Sequence, residues 1–294
     1  MKHCPPVILL IAAFLTACGP AATPTVAPLP PTATAAPAVP VLLLTLPPPT
    51  PEPMPGPRTL TVFAAASLSD AFTEIGQNFE AVHPGVSVAL NFAGSQTLST
   101  QLTQGAVADI FASANITEMD RLAAASLVST DSPRIFLTNQ LIVILPGDNP
   151  ANLQTLQDLT RPGIKLVLAD KSVPAGKYTL QILDNMVKDA AFGADFKTRL
   201  LANVVSNETD VKQVVAKVQL GEADAGIAYL SDSIAAPELK TIQIPANLNV
   251  LARYPIAALT NAPQPQLAAE FVAYVLSADG QAILKKWGFT PITP

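Results

Sequence analysis

Ser67 lies in Thr61-Val-Phe-Ala-Ala-Ala-Ser-Leu-Ser-Asp-Ala-Phe72, where an apolar run passes through small residues into a helical pattern. Ser95 stands at a second junction of this kind, Phe92-Ala-Gly-Ser-Gln96. Two more, Val173-Pro-Ala-Gly-Lys-Tyr178 and Glu208-Thr-Asp-Val211, put backbone N–H groups at helix starts, and Tyr229 ends a strand with a phenolic O–H. The first turn of a helix leaves N–H groups without partners and carries the positive end of the helix dipole, so it attracts anions. A single serine at such a place is an ordinary cap. Several helix starts and hydroxyls converging on one cleft would instead form a site of neutral donors. Such a site selects a tetrahedral dianion by its size and its lack of protons.

Other chemistry has weaker support. Once a leader is removed, one histidine remains, His83 in the helix-ending turn Val82-His-Pro-Gly85, and its reading is a solvated turn residue. No Gly-x-Ser-x-Gly elbow accompanies it, so a cryptic serine hydrolase using Ser67 or Ser95 is the alternative from another class. Asp109, Asp210, Asp224 and Asp232 could pair as carboxylates or hold a hard cation, but their spacing follows no ligand pattern and each sits where Asp caps an element. The expectation is a binding protein, not an enzyme, with no catalytic residue, no direct metal ligand and no cofactor. Sulfate or phosphate are the competing anions. Phosphate would call for an acceptor, which Asp70 or Asp210 could supply by pointing inward. A surface adhesion or scaffold lipoprotein is the remaining possibility.

The elements that must position these groups alternate between strand and helix, which gives an α/β architecture. Expected strands are Leu60–Ala64, Val86–Phe92, Asp109–Ala112, the run Leu141–Leu145, Lys165–Ala169, Asn203–Ser206 and Ala225–Tyr229. A β return follows over Thr241–Ile244 and Tyr254–Leu259. Helices are expected from Ser69, with Phe72, Ile75 and Phe79 on one stripe, and over Thr97–Gln104, Ile116–Ala125, Tyr178–Asp189, Ala194–Leu201, Val211–Leu220, Gln264–Leu276 and Ala278–Trp287.

Before this folded part, residues 1–17 read as an export signal whose apolar stretch is too short to span a bilayer. Leu15-Thr-Ala-Cys18 resembles a bacterial lipobox, which implies lipidation of Cys18 and anchoring outside the cytoplasmic membrane. Cys4 leaves with the signal, so no disulfide is available to the mature chain. Residues 18–57 form a Pro/Thr/Ala-rich linker holding about half of the chain's 29 prolines, and such a composition acts as an extended spacer. The apolar patch Val41–Leu46 is read as an irregularity of that tether. The formal net charge of −5, with no basic cluster, argues against nucleic acid as a partner.

At the donor positions and around them the chain resembles the periplasmic molybdate-binding proteins of bacterial ABC transporters. The likeness runs in order through Val62–Leu68, Phe92–Ser95, Ala108–Ala114, Val173–Gly176, Glu208–Val211, Gly226–Asp232 and Trp287–Thr290. It implies a two-lobed periplasmic-binding-protein fold of class II type with the ligand in the interlobe cleft. The first lobe would take 58–138 plus 253–294, and the second 139–252. The ligand would be molybdate or tungstate, held by Ser67 and Ser95 through hydroxyl and amide, by the amides of Ala175 and Val211, and by the Tyr229 hydroxyl. The resemblance further implies an ABC permease as partner, contact with the membrane through the lipid anchor alone, and a monomer. Many members carry a serine run where this chain has Gly94-Ser95-Gln96, which predicts a looser loop here.

Overall fold

The computed structural model describes residues 57–292. The export signal, Cys18, the patch Val41–Leu46 and the tether up to residue 56 lie outside them. The first half of the fold runs β1 (Arg58–Ala65), α1 (Ser69–Val82), β2 (Val86–Ala93), α2 (Ser95–Thr103), β3 (Ile110–Ala112), α3 (Ile116–Ala124) and β4 (Arg134–Asn139). The chain then continues through β5 (Leu141–Leu145), β6 (Leu166–Ala169), α4 (Pro174–Lys188), α5 (Phe196–Ala202) and β7 (Val204–Glu208). Next come α6 (Val211–Gln219), β8 (Ala225–Tyr229), α7 (Leu230–Ala235) and β9 (Lys240–Ile242). It ends with β10 (Ala252–Ala258), α8 (Pro265–Leu276), α9 (Ala278–Lys286) and β11 (Thr290–Pro291).

Two sheets divide these strands. The first has the order β2-β1-β3-β10-β4-β11, the second β7-β6-β8-β5-β9. In each, a β-α-β core of parallel strands is followed by one antiparallel strand, β10 in the first sheet and β5 in the second. Both are strands that have just crossed from the other sheet. The crossings fall between Asn139 and Leu141 and between Ile242 and Ala252. Parallel strands leave their carboxyl ends at one edge of a sheet, so loops that begin helices gather there.

The core follows from the apolar pattern. The inner face of α1 places Phe72, Ile75 and Phe79 against Phe136 and Phe271, with ring centroids 5.1–6.1 Å apart in tilted or edge-on arrangements. Each such side chain contributes about 1.5–3 kcal/mol by leaving water. In the second sheet the strands Leu141–Leu145, Leu166–Ala169 and Ala225–Tyr229 are buried along their whole length, while β7 and β9 at its edges are partly exposed.

Local differences from the sequence expectations have physical causes. Helix α4 begins at Pro174, not Tyr178, because a proline lacks the N–H that the first helical position would leave unpaired anyway. Ser67 belongs to a separate 3-10 turn, Ala66–Leu68, ahead of α1. His83 is only partly exposed: its ring stacks on Phe79 at 3.8 Å, with Nε2 3.6 Å from the Glu270 carboxylate. The short α7 had no apolar periodicity long enough to reveal it.

Candidate functional site

Between the two sheets lies a small cavity lined by Ser67, Ser95, Ala175, Val211 and Tyr229 together with Ala65, Ala66, Gly94, Ala114, Val173, Pro174 and Asp210. All five expected donors therefore meet in one place, although 162 positions separate the first from the last in the chain (229 − 67). The space open to a water-sized sphere is about 10 Å³, roughly one such sphere, so the cavity suits a single small ion.

The helix starts around it are unusual in what they lack. The 3-10 turn begins after Ala65, α2 after Gly94 and α4 after Val173, and none of the three has a side-chain cap. In α2 the amides of Thr97 and Leu98 already bond to Gly94 O, so the amides of Ser95 and Gln96 precede the hydrogen-bonded turns. In α4 the first bonded amide is Lys177, to Val173 O, which leaves Ala175 N–H ahead of the ladder. Helix α6 does have a cap: the Asp210 carboxylate accepts from Gln213 N–H at 3.1 Å. That cap serves the third residue of the helix and leaves Val211 N–H to the cavity side.

The hydroxyls are placed to donate. Ser95 Oγ accepts from Ala114 N–H at 3.0 Å, so its own proton is uncommitted. Ser67 Oγ lies 2.9 Å from the hydroxyl of Tyr254, a fully buried residue behind the cavity. The Tyr229 hydroxyl is buried and has no hydrogen-bond partner within bonding geometry among the described residues. Burial pushes the phenols of Tyr229 and Tyr254 well above their ordinary range, and that of Tyr178, at the edge of the cleft, up to about 12. All three remain protonated at any physiological pH.

The acceptors nearby are occupied. Asp210, the carboxylate in the cavity lining, also takes Gln213 Nε2 at 2.7 Å. Asp70 binds Lys212 Nζ at 2.7 Å, and buried Asp232 sits 3.3 Å from the same ammonium while accepting Tyr229 N–H at 3.1 Å. Burial pushes the Asp232 carboxyl up, against the pull of Lys212. For Lys212, burial works downward, but Asp232 and Asp70 outweigh it and raise the ammonium above its ordinary value. Lys212 is thus flanked by two carboxylates and presents no free positive charge to the cavity.

Several bonds cross between the sheets around the cavity. Asp70–Lys212 is one, Glu118–Lys177 at 3.1 Å another, and Tyr178 O–H donates to Ala114 O at 3.4 Å. Gln96 Nε2 donates to Thr209 O at 2.9 Å, so the residue expected to loosen its loop instead ties the two lobes together. Gly94 permits that approach: a Cβ there would stand 2.6 Å from Thr209 O. Tyr254 and Ala114 were not singled out from the sequence. Tyr254 sits inside an apolar strand and gave no local sign of lying against a cavity. Asp109 and Asp224, considered above as metal or acid–base groups, each accept backbone amides, from Thr61 and Gln264 and from Lys165. Among the described residues no cluster of His, Cys, Asp or Glu could hold a metal ion.

The sequence model for bacterial extracellular solute-binding proteins matches residues 60–290, nearly the whole described fold. The chain belongs to that family. Within it, the molybdate-binding protein ModA of Mycobacterium tuberculosis is 43% identical over 233 residues, covering 79% of this chain and 84% of its own. The periplasmic molybdate-binding protein of Azotobacter vinelandii superposes with a TM-score of 0.69 at 19% identity, over 80% of this chain and 99% of that one. The sulfate-binding protein SubI from Mycobacterium tuberculosis gives 0.72 at 20% identity, over 81% and 88%. At such identities the two structures share the fold alone. Together these likenesses make the chain a two-lobed extracytoplasmic solute-binding component of an ABC transporter. Its relatives are solute-binding proteins rather than enzymes.

Proposed function

We propose that this protein captures molybdate or tungstate as an intact tetrahedral dianion and delivers it to an ABC permease. The carrying observation is a cavity whose lining offers N–H and O–H donors while every carboxylate beside it is already engaged. In this reading Ser67 and Ser95 donate through hydroxyl and amide, Ala175 and Val211 through their amides, and Tyr229 through its hydroxyl. Hydrogen bonds to a charged acceptor are worth about 1.5–3 kcal/mol each, and helix dipoles add to them without any counter-charge. The 43% identity to a molybdate-binding protein supports the choice of ion. An ion bridging both sets of helix starts favours the closed arrangement of the lobes, 58–138 plus 253–294 and 139–252, and the closed monomer is what docks. No bond is made or broken.

The lipobox-like Leu15-Thr-Ala-Cys18 supports a lipid anchor on Cys18, and the Pro-rich stretch after it would hold the binding lobes away from the bilayer while leaving them free to move.

Sulfate is the second reading, because a donor-only lining suits any unprotonated tetrahedral dianion. A thermal-shift panel of molybdate, tungstate, sulfate, phosphate and thiosulfate decides between them, since a ligand of the native state raises stability by mass action. The proposal expects large shifts with molybdate and tungstate and none with phosphate. A shift with sulfate alone would transfer the site to that anion.

A further inference from the structure

We infer that Lys177 is a capture residue: its ammonium draws the dianion to the start of α4 while the lobes are apart, and Glu118 takes that charge over when they close. This rests on the oxyanion reading above, and it concerns a side chain outside the lining of the cavity.

Two ion pairs cross from the helices of the first lobe to those of the second, and both run in the same sense. Asp70 on α1 and Glu118 on α3 supply the carboxylates, while Lys212 on α6 and Lys177 on α4 supply the ammoniums. Each lysine stands in the first turn of a helix whose start lines the cavity. Lys212 follows Val211 directly, and Lys177 comes two residues after Ala175.

The two lysines differ in what they keep when the lobes part. Lys212 has Asp232 of its own lobe 3.3 Å away, a fully buried carboxylate, and stays neutralised. Lys177 has one ion pair among the described residues, with Glu118 Oε1 of the other lobe at 3.1 Å. Glu118, by contrast, has partners on its own lobe: Ser99 O–H donates to its Oε2 at 2.7 Å, and Arg121 lies 3.8 Å from the same oxygen. Parting of the lobes therefore leaves the carboxylate satisfied and the lysine bare.

A free ammonium and the positive end of the α4 dipole then pull a dianion in the same direction. Lysine suits this task because its compact charge sits on a long flexible stem that can swing from a ligand to a carboxylate. Once Glu118 has reclaimed it, the lysine adds no net counter-charge to the closed complex. Such a charge acts on the association rate and its salt dependence more than on the strength of the closed state.

The test is stopped-flow protein fluorescence with molybdate, read at low and high salt. The parent is compared with Lys177→Met combined with Glu118→Gln, with Glu118→Gln alone, and with Lys177→Arg. The double change removes the charge and leaves no buried carboxylate without its lysine. Its association rate should be about five- to tenfold below the parent's at about 10 mM salt and within about twofold of it at about 0.5 M, where screening is nearly complete. Its dissociation rate should move by less than about threefold. Arg253 lines the same groove as Lys177 and remains, so the double variant keeps a shallower salt dependence. Glu118→Gln alone and Lys177→Arg retain the cation and should retain the parent's slope. An association rate in the double variant equal to the parent's at low salt, or slower by the same factor at both salts, would overturn the inference, the second result marking a defect of closure and not of attraction. If the parent takes sulfate instead of molybdate, sulfate is the probe in the same comparison. A parent that binds no unprotonated dianion removes the oxyanion reading and this inference with it.

Discussion

Tyr229→Phe separates binding from folding with one atom. The Tyr229 side chain is buried, its ring packs edge-on against Tyr254 at 5.8 Å, and its hydroxyl has no partner among the described residues. Phenylalanine keeps the ring contacts and removes a buried polar atom that the unliganded fold leaves unsatisfied. Such an atom costs about 1–3 kcal/mol, so the unliganded variant should be at least as stable as the parent. With the ion present the sign reverses, since a hydrogen bond to a charged acceptor worth about 1.5–3 kcal/mol is lost. That is roughly a tenfold to hundredfold weaker affinity. At a molybdate concentration of about 1,000 times the parent's Kd, binding adds about 4.1 kcal/mol of stability to the parent and about 1.4–2.7 kcal/mol to the variant. Differential scanning fluorimetry with and without molybdate reads both effects, the ligand-induced shift shrinking by about a third to two-thirds. A variant that binds at parental strength, or that loses more than about 1 kcal/mol of stability without ligand, would refute the assignment of this hydroxyl as a donor to the ion.

Two further outcomes follow from other parts of the structure. Gly94→Ala keeps an allowed backbone, with φ −57°, but drives a Cβ against Thr209 O of the opposite lobe. Its molybdate affinity should fall by about 1–3 kcal/mol in calorimetry, with the unliganded melting temperature little changed, as a wedge in the closing surface requires. In the second lobe, Lys217 Nζ lies 2.6 Å from Glu208 Oε1; burial pushes that carboxyl up, but Lys217 and Ser206 outweigh it and hold it below the ordinary range. A depressed carboxyl contributes stability above its unfolded value of about 4.3 and loses it as pH falls through the lower folded value. Lys217→Met should therefore cost roughly 1–3 kcal/mol in urea melts at neutral pH, and the difference from the parent should vanish once acid protonates Glu208.

The parts of this molecule that announce themselves in sequence are those with a local cause. The Phe72, Ile75 and Phe79 stripe marks α1, and the run Leu141–Leu145 marks a strand covered on both faces. Ser67 and Ser95 stood out because a strand gives way to a helix at each, and the cavity does gather them with Ala175, Val211 and Tyr229. What stayed hidden depends on distant pairing. Tyr254 reaches Ser67 from behind the cavity, on a strand that pairs with β4 through an irregularity between Tyr254 and Pro255, where a proline cannot donate to the ladder. Its neighbours Arg253 and Ile256 give no hint of that. Gln96 and Gly94 acquire their roles from Thr209, 113 residues beyond Gln96, which no window of sequence contains. Asp232 looked like a simple cap; it shares Lys212 with Asp70, and the Asp70 contact exists only when the lobes meet.

A crystal structure of the protein with tungstate, located by its anomalous scattering, is the most direct test of whether one tetrahedral dianion sits among neutral donors from both lobes. A single strong peak is expected in the cavity between the sheets, with oxygens within hydrogen-bonding distance of the Ser67, Ser95 and Tyr229 hydroxyls and the Ala175 and Val211 amides, and Lys212 still bound to Asp70 and Asp232. A peak elsewhere, or an anion held by Lys212 released from its carboxylates, would contradict it.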